Sequence, residues 1–306
     1  MRILITGSNG QLGTELQKQL NSGYSEIGSI PQKLINAELI VTDEKELNIS
    51  NIDNVYKIFQ KYSPDLVLNC AAYTNVDDCE KNPELAYQVN AIGPKNLALA
   101  CLKYKTILVH ISTDYVFSGR DNTGISQDEL TQPNPISMYG KTKLAGEVYV
   151  KENCKHSFII RTAWLYSYYG KNFVKTIINA GEKYGKITVV NDQFGNPTNA
   201  VDLAYEILQL CITDQYGLYH CTGNGICSWF DFAKEIIYLS NTKAVVTPCS
   251  TAEYCSIHKD AARRPAWSAL DNKHLRETVG DSMRPWKIAL KEYFKRYDKN
   301  DGFQKE

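Results

Sequence analysis

Tyr139 and Lys143 stand four residues apart, in the run Tyr139-Gly140-Lys141-Thr142-Lys143. On a helix that spacing puts phenol and ammonium on one face. A neighbouring ammonium favours the phenolate and lowers a pKa that is normally about 10. Tyr139 is thereby a candidate proton donor near neutral pH. By itself the pair is a weak signal, because a chain with 20 Tyr produces the spacing by chance. It gains meaning from Ser112-Thr113-Asp114, which closes the apolar run Ile107 to Ile111. Ligands of a parallel α/β sheet sit at the carboxyl ends of its strands. The Thr113 hydroxyl is then placed to hydrogen-bond a reacting carbonyl, and hydroxyl, phenol and ammonium form a proton-relay set.

A second group lies near the start of the chain. Gly7-Ser8-Asn9-Gly10-Gln11-Leu12-Gly13 spaces its glycines G-x-x-G-x-x-G between an apolar run and a periodic one. Gly7 and Gly10 permit a tight turn and close approach of the backbone to a pyrophosphate. The helix that follows offers free N–H groups to the anion, and Gly13 lets that helix pack close to the strand. Alone, the glycines would fit any strand-to-helix turn; between strand and amphipathic helix they predict a dinucleotide site. The expected partner is an acid ending the second strand, on the ribose hydroxyls. Asp43 fits, although it lies 30 residues beyond Gly13 where about 20 is usual. Asn21 to Ala37 reads as an insertion that absorbs the excess. A solvated strand-end Asp is the plainer account of Asp43.

These residues need elements to hold them. Arg2 to Thr6, Glu38 to Thr42, Asp65 to Ala71, Thr106 to Ser112 and Phe158 to Arg161 read as strands. Gln11 to Leu20, Asn54 to Lys61, Pro83 to Tyr104 and Met138 to Glu152 read as the helices between them, the third interrupted near Gly93-Pro94. This alternation predicts an α/β protein, with a Rossmann-type doubly wound parallel sheet and helices on both faces. Beyond it, Phe173 to Tyr184, Val201 to Cys211, Trp229 to Leu239 and Ile288 to Tyr297 read as helices and Gly217 to Thr222 as a strand. No linker separates the halves. The expected division is therefore interwoven: residues 1–162 plus 191–224 form the dinucleotide-binding domain, and 163–190 plus 225–306 a smaller substrate-binding lobe. The polar tail after Asp298 is expected to fray.

Composition sets limits. The chain has 306 residues, 43% apolar and 22% charged, with a formal net charge of +0. That is ordinary for a globular enzyme, and no basic field exists to gather nucleic acid. No apolar run approaches the roughly 20 residues that span a bilayer. Three apolar residues follow Arg2 before Thr6, far short of the about 7–15 of a signal-peptide core. A cytoplasmic protein is expected, with no membrane or nucleic-acid partner. Nine Cys, an odd number without a C-x-x-C, predict buried reduced thiols rather than disulfides or zinc. His110, inside an apolar strand, reads as structural. Arg263 and Arg264 suit a diphosphate clamp by guanidinium geometry, or are solvated surface arginines.

Taken together, Gly7 to Gly13, Asn69-Cys70-Ala71-Ala72-Tyr73-Thr74, Ser112 to Phe117 and Tyr139 to Glu147 resemble the extended short-chain dehydrogenase/reductases. Within that superfamily the likeness is strongest to the dTDP-4-dehydrorhamnose reductase family. Arg161 to Tyr166, Asn191 to Thr198 and Arg264 to Asp271 continue it, so it covers Met1 to about Tyr297. The resemblance implies reduction of the 4-keto group of a nucleotide-sugar substrate with NADPH or NADH. It implies that Gly10, Gln11 and Leu12 hold the pyrophosphate, and that Asp43, Asn48 and Ile49 contact the adenosine half. Ala72, Tyr73 and Thr74 would line the cofactor and Lys143 would bind its ribose. Thr113 and Asp114 would meet the sugar, Tyr139 would donate the proton, and Trp164 would pack on the deoxysugar. An ordinary core aromatic is the alternative for Trp164. The resemblance also brings a homodimer and a bound Mg2+ as expectations, but no ligand residues stand out. Two positions depart from the pattern: Asn48 stands where many relatives carry Asp, and Trp267 where Asn is common. Trp267 fits a core aromatic as well as a substrate contact.

Three other readings share this sequence: a reductase of a different nucleotide-linked 4-ketosugar, a dinucleotide-binding subunit without turnover, and an epimerase or dehydratase. The second is disfavoured by intact Thr113, Tyr139 and Lys143. Dehydratases place an acidic pair after the Thr, and here Asp114 is followed by Tyr115.

Overall fold

The computed structural model describes residues 1–119 and 124–297; the tail expected to fray lies outside the described residues. Strand β1 (Arg2–Thr6) leads through the glycine loop into helix α1 (Gln11–Ser22), and β2 (Glu38–Thr42) follows. Then come α2 (Ile52–Tyr62), β3 (Leu66–Asn69), α3 (Gly93–Tyr104), β4 (Ile107–Thr113), α4 (Met138–Asn153) and β5 (Ser157–Thr162). After α5 (Phe173–Tyr184) and α6 (Ala200–Leu210), β6 (Gly217–His220) completes a six-stranded sheet in the order β6-β5-β4-β3-β1-β2. Every pairing in it is parallel. The order reverses between β1 and β3, and a ligand crevice opens where parallel sheets reverse.

Side chains alternate across the sheet because successive residues of a strand point to opposite faces. On one face Ile3, Ile5, Leu66, Leu68, Val109 and Phe158 pack against Leu12, Leu16 and Leu20 of α1 and Leu203 and Ile207 of α6. On the other, Leu4, Val67, Leu108 and Ile159 pack against Val55 and Phe59 of α2, Leu97 and Cys101 of α3 and Val150 of α4. The doubly wound α/β class is thus observed. Helices α7 (Trp229–Leu239) and α8 (Trp286–Arg296) belong with α5 to a third cluster built on Tyr166, Ile177, Phe232, Ile236, Leu290 and Tyr293. A parallel ladder of Lys186–Val190 with Val245–Cys249 lies beside that cluster. Neither strand of it was read from the sequence.

The structure amends the reading elsewhere. The segment 21–37, read as an insertion, holds a short hairpin, Tyr24–Ser25 with Gly28–Ser29, and buries Ile30 and Leu34 in the core. The helical stretch from Pro83 is not broken at Gly93-Pro94. It passes through a π-helical turn, Gln88–Ile92, directly into α3. Pro94 lies just after that widened turn, a place where a helix accommodates a missing N–H. Short helices at Val76–Lys81, Thr251–Ile257 and Lys273–Thr278 were not foreseen. Six of the nine thiols are buried and all are free. No helix among the described residues is long and apolar enough to cross a membrane.

Helix α4 lies directly against that π turn. A Cβ at Gly146 would come within 2.3 Å of the Asn90 carbonyl oxygen. Backbone cannot yield as a flexible side chain does. Gly146→Ala should therefore destabilise the protein by about 1–3 kcal/mol, read as a lower urea midpoint with an unchanged slope.

Candidate active site

Helix α4 starts where it does because Ser137 caps it: the Ser137 hydroxyl accepts the Gly140 N–H at 3.1 Å. Its first turn rests on the 3-10 turn Asp114–Val116 that follows β4. A Cβ at Gly140 would sit 2.1 Å from the Tyr115 carbonyl oxygen, so only glycine permits this approach. Tyr139 is thereby set edge-on to the Tyr115 ring, at 5.5 Å between centroids, and within hydrogen-bonding reach of the Thr113 hydroxyl. One turn on, Lys143 is 2% exposed and its Nζ donates to the Ile111 carbonyl at 2.6 Å. The three residues expected to act together do converge at the carboxyl end of β4.

Their electrostatics differ from the expectation. Burial holds the Tyr139 phenol well above its ordinary value, and Lys143 does not offset this. The ammonium is turned to the Ile111 carbonyl, and burial lowers it to about 8. Tyr139 is therefore a protonated phenol at neutral pH, the form from which a proton can be given. Asp114 is buried as well and is pushed up to about 6, against hydrogen bonds from Ser268 and Thr113. Thr113 Oγ1 donates to its Oδ1 at 2.9 Å.

These groups line one end of a cleft of about 750 Å³ that runs to the glycine loop. Gly7, Gly10, Gln11, Leu12, Gly13, Asp43, Asn48, Ile49, Ala72, Tyr73, Thr74 and Trp164 all lie on its walls. Gly7 has φ +61, and a Cβ on it would meet the Ala71 nitrogen at 2.7 Å; one on Gly13 would meet the Gly7 oxygen at 2.4 Å. The N-cap of α1, Gly10, has no side-chain hydrogen bond, so the first N–H groups of the helix face the cleft bare. Gln11 Oε1 and Thr162 Oγ1 are buried on the cleft walls without a partner. Bare helix N–H groups suit a pyrophosphate, and the unpartnered oxygens suit ribose hydroxyls or an amide. The site fits a dinucleotide. Asp43 accepts from Asn9 Nδ2 at 2.9 Å and from the Lys45 N–H at 2.8 Å. Asn48 spends its Oδ1 on the Ser50 N–H, within its own turn.

Arg264 is not on the cleft wall. Its guanidinium donates to both carboxylate oxygens of Asp77, at 3.2 and 3.1 Å. Trp267 is 8% exposed, donates through Nε1 to the Ile125 carbonyl and packs on Phe194, which favours its reading as a core aromatic. His110 is fully buried and held neutral, with Nδ1 at 3.0 Å from Asn69 Nδ2, in keeping with a structural role. Among the described residues no group of three or more His, Cys, Asp or Glu side chains could hold a metal ion.

Sequence reasoning missed two residues. Asn90, in the π turn, clamps the wall segment: its Oδ1 accepts the Tyr73 N–H at 2.8 Å, and its Nδ2 donates to the Tyr73 carbonyl at 3.0 Å and to Thr142 Oγ1 at 3.2 Å. A polar amide at a buried position of a helix was the available signal. Trp229 was missed because it comes from the far end of the chain. Its indole stacks on Trp164, 3.5 Å between centroids and 6° from parallel, and both rings line the cleft. Trp164 has φ +46, a costly backbone state that concentrates at functional sites. Gly195 admits the indole edge, since a Cβ there would lie 2.6 Å from it.

Comparison with known proteins agrees with this geometry. Residues 1–299 match the family described as RmlD substrate binding domain. The spore coat polysaccharide biosynthesis protein SpsK of Bacillus subtilis is 38% identical, over 95% of this chain and 96% of the relative. The crystal structure of a dTDP-4-dehydrorhamnose reductase from Clostridium acetobutylicum superposes with a TM-score of 0.88 at 47% identity, covering 96% of this chain and 99% of that one. The dTDP-4-dehydrorhamnose reductase of Bacillus anthracis in complex with NADP does so with a TM-score of 0.88 at 42% identity, covering 97% and 99%. A glycine-lined dinucleotide cleft, a Thr–Tyr–Lys set at its far end and a match across nearly the whole chain have one reading: this chain belongs to the RmlD substrate-binding-domain family, that of the dTDP-4-dehydrorhamnose reductases.

Proposed function

We propose that this cleft reduces the 4-keto group of dTDP-4-dehydro-L-rhamnose to give dTDP-L-rhamnose, in the biosynthesis of a cell-surface polysaccharide. The observation that carries the reading is the convergence of Thr113, Tyr139 and Lys143 at the end of a dinucleotide cleft. NADPH or NADH, when bound, supplies the hydride. Gly10, Gln11 and Leu12 hold its pyrophosphate on the bare N-terminus of α1. Asp43 with Asn48 and Ile49 borders the adenosine half, Ala72 to Thr74 form the wall, and Lys143 holds the nicotinamide ribose. Thr113 hydrogen-bonds the sugar carbonyl. Tyr139 gives its proton to the oxygen as negative charge develops there, and its raised pKa keeps that proton in place until it is needed.

The nucleotide-binding part is made by residues 1–162 and 191–224, and the sugar lies against the lobe of 163–190 and 225 onward, at the Trp164–Trp229 stack. Arg264 is placed as a substrate contact by the resemblance alone; one of its nitrogens is engaged by Asp77. The protein works in the cytoplasm, where nucleotide sugars and reduced nicotinamide are at hand. The assay that tests the function follows NADPH oxidation with enzymatically generated dTDP-4-dehydrorhamnose beside a panel of other nucleotide 4-ketosugars. Turnover of a different member in preference to it would overturn the substrate assignment.

Two variants test the roles. Tyr139→Phe keeps the ring packed on Tyr115 but removes the proton, so single-turnover hydride transfer should slow by roughly 10²–10⁴-fold while NADPH binding, titrated by fluorescence, changes little. Near-normal transfer would move the proton donor to Asp114 or to a water. Asp43 sets its charge near the expected ribose 2′ position, with the Lys45 backbone beside it. NADH should therefore serve at least comparably to NADPH. Asp43→Ala should shift the kcat/KM ratio toward NADPH by of order ten-fold, about 1.4 kcal/mol. Strict NADPH dependence of the parent enzyme would sink the Asp43 assignment.

A further inference from the structure

Glu147 sits one helical turn beyond Lys143 and two beyond Tyr139, on the same face of α4. It is 5% exposed, and three different elements meet at its carboxylate. Ser112 Oγ, one residue before Thr113 on β4, donates to Oε1 at 2.5 Å. Arg161, 2% exposed on β5, donates to the same oxygen through Nε at 2.9 Å and to Oε2 through an Nη at 2.7 Å. Its guanidinium also lies 5.1 Å from the centre of the Phe117 ring. Burying such a pair gains little stability over an apolar replacement, because the desolvation of both charges offsets their attraction. Its position under the reacting groups points to another use.

We propose that Glu147 is a positioning residue for the reduction, fixing the Lys143 ammonium relative to Thr113 by tying α4 to the ends of β4 and β5. The proposal rests on the reading of Lys143 given above. Glu147 faces Lys143 from its own helix, Cys70 from the segment after β3, and His110 and the Ile111 carbonyl from β4. Burial keeps His110 neutral, and it raises the Cys70 thiol to about 12. Glu147 is the first of the charges that favour the ammonium, against the burial that lowers Lys143 to about 8. The ammonium is present below that value and is lost as pH rises through it. Without the carboxylate the loss comes at lower pH.

The test is kcat/KM for dTDP-4-dehydrorhamnose at saturating NADPH, from about pH 6 to about pH 10, a span that brackets Lys143. Glu147→Gln should move the alkaline limb down by about one pH unit, a further loss of roughly ten-fold near pH 9. The paired variant E147Q/R161Q removes both buried charges, so it should recover much of any lost urea stability yet keep the shifted limb. It also carries the test if Glu147→Gln does not fold. Lys143→Arg, charged throughout, should abolish the limb. If it does so while both Glu147 variants keep the parental limb, Glu147 is only a structural ion pair and the proposal is overturned. If the limb survives Lys143→Arg, the reading of Lys143 falls, and this one with it.

Discussion

The site depends on how closely helix α4 can approach the ends of β4 and the π turn before α3. Two missing Cβ atoms set that distance: Gly140 against the Tyr115 carbonyl and Gly146 against that of Asn90. At the spacing an ordinary side chain would impose, the Tyr139 phenol would leave Thr113 and the Lys143 ammonium would leave the Ile111 carbonyl. Backbone carbonyls do not shift as rotamers do. Close packing therefore acts as a rigid stop, and it fixes catalytic geometry to fractions of an ångström.

That closeness withdraws Asp114 and Lys143 from solvent, and the withdrawal shapes their acid–base chemistry. With Asp114 and Lys143 buried and Tyr139 half-buried on the cleft wall, each neutral form is favoured. For a residue that must give up a proton, a raised pKa is serviceable. For the Lys143 ammonium, which the proposed function keeps charged, the hazard is the opposite one: burial lowers its pKa, and the Glu147 carboxylate acts against that. The Arg161 guanidinium completes the arrangement by neutralising Glu147 from the far side. The electrostatics of the cleft are thus settled by groups behind its walls as much as by groups on them.

The other end of the site is closed by surfaces that stack rather than bond. Trp164 follows β5 and Trp229 opens α7, and their rings meet face to face with Phe173 tilted against Trp229 at 4.4 Å. The stack is continuous with the aromatic core around Phe232. Wall and core are one packed body there. Arg264 belongs to a different seam, where Asp77 binds it together with the Ala262 N–H and joins the short helix Val76–Lys81 to the C-terminal segment.

Local periodicity made much of this protein legible without coordinates. The 3.6-residue repeat placed α1, α4, α5 and α7, short strand-like runs placed all six strands of the sheet, and the i, i+4 spacing put Tyr139 and Lys143 on one face. The glycine loop was readable because close backbone approach is a property of the strand–helix junction itself, and the end of the second strand put Asp43 on the same cleft. Contacts between distant segments were not readable. Asn90 clamping Tyr73, Trp229 covering Trp164, and Arg161 meeting Glu147 each join residues whose separation carries no periodic signal. The Lys143–Tyr139 coupling was misjudged for the same reason. Spacing along a helix says which side chains share a face, but burial and a carbonyl from another strand decide where an ammonium points and what its charge costs.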